Sequence, residues 1–216
     1  PENNFFKTNA ELFVFVGLTL ACLAIYGQTV NFQFINLDDN LYVYDNIKVL
    51  SGLNRDSVYW AFTAFHSANW HPLTWLSHMA DVSLFGGNAG AHHATNIVFH
   101  IINTLLAFAV FRRLTGDFWK SAMVAALFAV HPAHVESVAW VSERKDVLST
   151  MFWLLTMFAY FRYAETKITS LESEVLSDES KNQKAQNYKA QESDHHAQNL
   201  YQRKTSKSKK RTTRRK

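Results

Sequence analysis

The sequence predicts an all-α membrane protein with about four transmembrane helices, amphipathic surface helices in its first exterior loop and a disordered C-terminal tail. Three observations carry this. Apolar stretches approaching the roughly 20 residues needed to cross a bilayer recur along residues 1–164. All 6 Trp and all 17 Phe lie in that same part, which separates a membrane domain, 1–164, from a tail, 165–216. The tail carries 13 Lys/Arg against 7 Asp/Glu, and residues 1–164 carry 9 against 11, so the net charge of +4 belongs to the tail alone.

The first span is Leu12–Val30. It reads as an uncleaved anchor: Lys7 precedes it as in a signal peptide, but the run is long and lacks a small-x-small cleavage site. Cys22, the sole cysteine, lies inside it as a lipid-facing or packed thiol, so no intrachain disulfide or thiolate cluster forms. In the long segment that follows, Arg55–His66 places Val58, Ala61, Phe62 and Phe65 at helical spacing. Pro72 suits a first helical turn, and Leu73, Leu76, Met79, Ala80 and Leu84 continue the period until Phe85-Gly86-Gly87-Asn88 breaks it. Two short helices lying along the membrane surface match this pattern; a core-facing pair within a small lobe is the alternative.

The second span is Ala91–Phe111, closed by Arg112-Arg113. The third begins at Phe118-Trp119 and runs through Ala125–Val130 to His131-Pro132; the fourth is Val147–Tyr163. Arg112, Arg113 and Lys120 flank the turn Thr115-Gly116-Asp117, which the bias of basic residues toward the cytoplasm places inside. Four spans then put both termini inside, with Lys7 and the tail. Asn31–Gly90 and Pro132–Asp146 face the exterior or a lumen. The tail is rich in Ser, Gln, Asn, Lys and Glu and buries too little to offset ordering entropy. Its end, KTSKSKKRTTRRK, is a solvated basic run in which no aromatic residue interleaves, so no specific nucleic-acid partner is expected.

The chemistry-bearing residues gather at one expected depth. Asp38-Asp39 lies just beyond the first span. Neighbouring carboxylates resist simultaneous ionisation, so one can accept a proton near neutral pH, and their place suggests a lipid-borne substrate. His92, Asn96, His100 and Asn103 form one helical stripe in the second span. Polar groups there are costly and face a bundle interior or a wet cavity. Eight of ten histidines fall between positions 66 and 134. None has a tight metal-ligand spacing: His92-His93 diverge, and His131-x-x-His134 stands alone. The expectation is therefore a polar cavity with a carboxylate base and no metal. Arg144 and Lys145 are candidates to grip a phosphate, unless they merely pair with Glu143 and Asp146.

Four blocks in order carry a specific resemblance: LDDNLYV (37–43), NWHPLTWLSHMADVSLFG (69–86), GAHHATN (90–96) and HPAHVESVAWVSERKDVLS (131–149). They resemble the membrane part of TMTC-type proteins, tetratricopeptide-repeat-containing, multi-spanning glycosyltransferases of the GT-C fold, over about residues 10–165. The resemblance implies a partial GT-C-like bundle. It also implies transfer of a sugar, mannose in the eukaryotic relatives, from a polyprenyl- or dolichyl-phosphate donor to protein Ser/Thr. The partners are then a membrane lipid donor and a protein acceptor, and no cofactor is needed beyond the lipid-phosphate-linked sugar. The family's catalytic acidic pair maps onto Asp38 and Asp39. Chemistry and fold analogy add Arg144, then Lys145, as the cation facing the leaving phosphate, with His71, His93 and His131 orienting substrate. The implied location is the bacterial inner membrane or the endoplasmic reticulum membrane. Departures are the small number of spans and a tail with no 34-residue repeat. These suggest an N-terminal fragment or truncated product, whose alternative role is a non-enzymatic membrane scaffold.

Overall fold

The computed structural model describes the backbone of residues 2–213 and the side chains of residues 9–184 and 186–188. The chain divides into two compact units, 1–161 and 162–216. Among the described residues the fold is helical: α1 (Glu2–Tyr26), α2 (Ile47–Leu50), α3 (Arg55–Thr63), α4 (Pro72–Phe85), α5 (Ala89–Thr115), α6 (Phe118–Val130), α7 (Val135–Ala139) and α8 (Arg144–Thr213).

In the first unit α1, α5 and α6 pack side by side. Leu18, Cys22 and Tyr26, four residues apart, bury one stripe of α1, while Leu12, Phe13 and Leu20 on other faces stay exposed. Leu18 meets Phe108 and Ala125, and Tyr26 meets Ile97, Val138 and Val147. Cys22 is therefore packed rather than lipid-facing, its Sγ 3.6 Å from Thr104 Oγ1. The chain leaves α1 through a 3₁₀ turn, Gly27–Asn31, that lies directly against the start of α5. Any side chain at Gly90 would collide with the Val30 carbonyl, so only glycine permits this approach. Asn88 caps α5 by accepting from Ala91 N, Gly116 ends it at φ 69°, and Asp117 caps α6 by accepting from Lys120 N.

Two helices, α1 with its turn (Asn9–Asn31) and α5, are long and apolar enough to cross a membrane. A third candidate is the pair Phe118–Val130 and Pro132–Ala139, bent by 49°. Pro132 causes the bend: it offers no N–H, and it drives His131 out of the helical region to ψ 128°. The expected fourth span, Val147–Tyr163, forms the beginning of α8, where Ser149, Thr150, Thr156 and Arg162 dilute the apolar run below what the other spans reach.

The segment between α1 and α5 is a packed lobe. Pro72 opens α4 as expected, and Asn54 and Ser57 form a reciprocal cap on α3. Tyr42, Val43, Val49, Ala61, Trp75, Met79 and Val141 make a common core. Both expected helices, α3 and α4, thus contribute to one core, as in the alternative of a core-facing pair. On α4, Trp75, His78 and Met79 are buried within the lobe while Leu73 and Leu84 stay exposed, and α3 leaves Tyr59 and Phe62 exposed while burying Ala61.

The second unit differs from the expected disorder: α8 continues as helix to Thr213. Its described side chains from Glu165 to Lys184 are all exposed, as the composition required. The backbone is helical because the segment holds no Gly or Pro and is rich in Lys, Glu and Gln, whose helix propensity is high. The side chains of Lys7 and of the basic run 204–216 lie outside the described residues.

Candidate functional site

The two aspartates of the acidic pair occupy different environments. After the 3₁₀ turn the chain runs extended and then closes a π-helical turn over Asn40–Tyr44. Asp39, at the head of that turn, is fully buried. Its Oδ2 accepts from Ile35 N at 2.8 Å and its Oδ1 from Ser142 N at 2.9 Å, so it ties the first loop to the segment entering α8. Asp38 is only half-buried, and its backbone carbonyl accepts from Tyr42 N at 2.9 Å.

Tyr42 is the centre of what surrounds Asp38. His71 stacks on its ring with centroids 5.4 Å apart, and Trp75 packs at 4.8 Å. Asn69 donates to the phenol oxygen at 3.3 Å, and Lys145 Nζ stands 5.9 Å from the ring centroid. Burial pushes the phenol pKa up; Lys145 pulls it down, and Asp38 and Glu143 raise it further. Lys145 is partly exposed and pairs with Glu143 at 2.6 Å. Burial, then Lys145 and His66, hold the His71 imidazole down to about 4, so it is neutral near pH 7. Its Nε2 is buried with no hydrogen-bond partner among the described residues, the kind of group a bound polar ligand satisfies. Asn69 reaches Tyr42 from a tight turn in which His66 and Asn69 exchange two backbone hydrogen bonds. Ser67 and Ala68 take left-handed φ values of 49° and 59° at its centre, the signature of a type I′ turn.

Arg144 is engaged elsewhere, in contrast to its expected place at a phosphate. Its side chain is fully buried and all three nitrogens are in use. Nε donates to Asn96 Oδ1 at 2.8 Å, and Nη2 to the His92 carbonyl at 2.8 Å. Nη1 donates to Ser77 Oγ at 3.0 Å and pairs with Asp81 Oδ2 at 2.5 Å. Burial pushes the Asp81 carboxyl up, and the guanidinium pulls it back toward the ionised form. Arg144 thus clamps α4 and α5 to the start of α8.

The polar stripe of α5 is buried as expected, and three of its side chains reach backbone carbonyls. Asn96 Nδ2 donates to the Trp140 carbonyl at 3.1 Å and Asn103 Nδ2 to the Val147 carbonyl at 2.8 Å, while His100 Nε2 lies 3.1 Å from the Ala129 carbonyl. The Ala129 carbonyl is one left over at the end of α6, and the other two bonds tie α5 to the chain entering α8 and to α8 itself.

The other expected histidines lie apart from Tyr42. His93 is buried against Phe32, 6.2 Å between centroids. His131 is exposed, and its Nδ1 accepts from Ala133 N at 3.1 Å, capping the next turn. The structure places His71 and Lys145 against Tyr42, whose N–H bonds the Asp38 carbonyl, and places Arg144, His93 and His131 on other partners. Sequence reasoning missed Tyr42, four residues beyond Asp38 and so one helical turn away, and Asn69. It also missed Asp81, whose signal was its i, i+3 spacing from His78 on α4. His78, Asp81 and His92 are the one group among the described residues whose side chains converge as metal ligands do.

No family model and no solved structure matches the chain. Curated proteins do. "Protein O-mannosyl-transferase Tmtc1" of Drosophila melanogaster is 30% identical over 171 residues, covering 76% of this chain and 20% of the relative. "Protein O-mannosyl-transferase Tmtc2" of the same organism is 30% identical over 165 residues, covering 73% and 17%. The mouse "Protein O-mannosyl-transferase TMTC2" is 28% identical over 152 residues, covering 67% and 18%. The chain spans about a fifth of the length of these relatives. They are animal proteins and lend no support to a bacterial inner membrane. With identities of 28–32% against TMTC1 and TMTC2 relatives over most of its length, this chain belongs to the TMTC-type family.

Proposed function

We propose that the chain carries the acidic-loop part of a GT-C-type protein O-mannosyltransferase that takes mannose from a polyprenyl- or dolichyl-phosphate donor. The observation that supports this most is the division of labour within the acidic pair. Asp39 is consumed by two backbone N–H groups, while Asp38 stays half-buried, its carbonyl bonded to the N–H of Tyr42, whose ring His71 and Lys145 flank. In this reading Asp38 is the proton acceptor. The acceptor Ser/Thr hydroxyl oxygen attacks the sugar anomeric carbon, its proton passes to the Asp38 carboxylate, and the bond from that carbon to the phosphate oxygen breaks. The lipid phosphate leaves with the bonding pair. Lys145, rather than Arg144, is the accessible cation to stabilise it, and His71 Nε2 is free to hydrogen-bond substrate. The loop between α1 and α5 then faces the lumen of the endoplasmic reticulum, with the α5–α6 turn in the cytoplasm.

The test is transfer of radiolabelled mannose from the lipid phosphate to a Ser/Thr peptide by membranes carrying the protein at its full natural length. Asp38→Asn should reduce transfer by roughly 10²–10⁴-fold with normal membrane insertion. Lys145→Ala should lower the maximal rate, and Arg144→Lys should act only through folding. Full transfer by Asp38→Asn would remove the base assignment.

A further inference from the structure

We propose that His78, Asp81 and His92 form a buried site for a divalent transition-metal ion, zinc above all, with both imidazole Nδ1 atoms and Asp81 Oδ2 as ligands. The group lies apart from Asp38 and Tyr42 and is independent of the proposed reaction.

The geometry carries the argument. His78 Nδ1 and His92 Nδ1 face each other at 3.4 Å, and His92 Nδ1 lies 3.3 Å from Asp81 Oδ2. Zinc–nitrogen and zinc–oxygen bonds of about 2.0–2.1 Å in a tetrahedron place neighbouring ligand atoms about 3.3–3.4 Å apart. The three ligand atoms all lie within 4.8 Å of one another. All three residues are buried, at 0%, 4% and 0% exposure.

Hydrogen bonding alone serves this cluster poorly. A single proton can lie between the two Nδ1 atoms, yet His92 Nδ1 is also against the carboxylate. Three electron-pair donors converge, and the Arg144 guanidinium beside them reaches Asp81 Oδ2 but has neither imidazole as a hydrogen-bond partner, so a metal ion between the two Nδ1 atoms completes the set. The carboxylate is already oriented as a metal ligand's usually is: Thr95 Oγ1 donates to its Oδ1 at 2.8 Å, and Arg144 holds Oδ2 from the other side. The guanidinium also repels an ion, so this site binds more weakly than an all-thiolate structural site and yields its metal to a chelator. Two imidazoles and a carboxylate select a borderline ion such as zinc over calcium or magnesium.

The full chain, purified in detergent, stripped with chelator and reloaded with Zn²⁺, should retain about one zinc per chain after gel filtration, by elemental analysis. Reloaded with Co²⁺, it should show the intense visible d–d absorption of a tetrahedral ion. The double variant His78→Asn/His92→Asn should lose both signals. Zinc below about a tenth of an equivalent in the unsubstituted chain, or a cobalt spectrum of purely octahedral character, would overturn the proposal. Both are read without the variant and so do not depend on its folding. Undiminished zinc in a folded double variant would overturn it equally. None of these measurements involves mannosyl transfer, so the site and the proposed reaction fail separately.

Discussion

Asp39→Asn should unfold the loop that Asp38→Asn leaves standing. The buried Asp39 carboxylate accepts two backbone N–H groups at 2.8 and 2.9 Å, one local and one reaching 103 residues along the chain to Ser142. A hydrogen bond to a charged group contributes about 1.5–3 kcal/mol, and a buried donor left without a partner costs about 1–3. Asparagine keeps one acceptor oxygen and turns an NH₂ toward the other N–H, so one bond is lost, the surviving one is weakened, and a donor faces a donor. The expected loss is about 2–4 kcal/mol, or roughly 4–16 °C in Tm for a domain of this size. Asp38 is half-buried and its carboxylate holds no comparable pair of bonds, so Asp38→Asn should stay within about 0.5 kcal/mol of the parent. Thermal unfolding of both variants in the same detergent, followed by tryptophan fluorescence, reads the difference. Equal Tm values for Asp39→Asn and the parent protein would refute the latch, as would an equal drop for both variants.

Further expectations follow from the same contacts. Arg144→Met leaves Asp81 buried and unpaired and should cost about 3–5 kcal/mol, most of it recovered by adding Asp81→Leu; denaturant titration of the two variants checks this. Ala68 sits at φ 59°, where an L-residue costs about 1–2 kcal/mol and glycine does not. Ala68→Gly should therefore raise Tm by a few degrees, and a lower Tm would count against the turn. His71 stays neutral in the fold down to about 4 against 6.5 for the free side chain. The unfolded chain takes up that proton first, so the stability it contributes is complete above 6.5 and declines as pH falls toward 4. His71→Phe should flatten this part of the Tm–pH curve, and an unchanged slope would assign it to other groups.

The helices were legible where one local rule sufficed. The apolar runs of α1 and α5, Pro72 at the head of α4, the turn at Thr115-Gly116-Asp117 and the breaks at Gly86 and Pro132 all act within a turn or two of their own positions. The continuation of α8 beyond Tyr163 was misread because low hydrophobicity rules out a packed core but does not rule out a helix. Lys, Glu and Gln without Gly or Pro keep the backbone helical even where nothing is buried. The core of the lobe was not legible because an apolar stripe on a short helix looks the same whether lipid or protein covers it.

The order of residues along the chain determined which groups were available: an acidic pair after the first span, eight histidines between 66 and 134, and two adjacent cations at 144–145. Tertiary structure alone decided what each was free to do. Asp38 and Asp39 are neighbours in sequence, yet the π-helical turn sends one inward to Ser142 and leaves the other beside Tyr42. Arg144 and Lys145 are likewise neighbours, yet successive helical side chains point about 100° apart. That rotation buries Arg144 against Asp81 and leaves Lys145 at the surface. Hydrogen-bond partners lying 48 to 103 residues away settle these roles, and no local pattern encodes a contact at that separation.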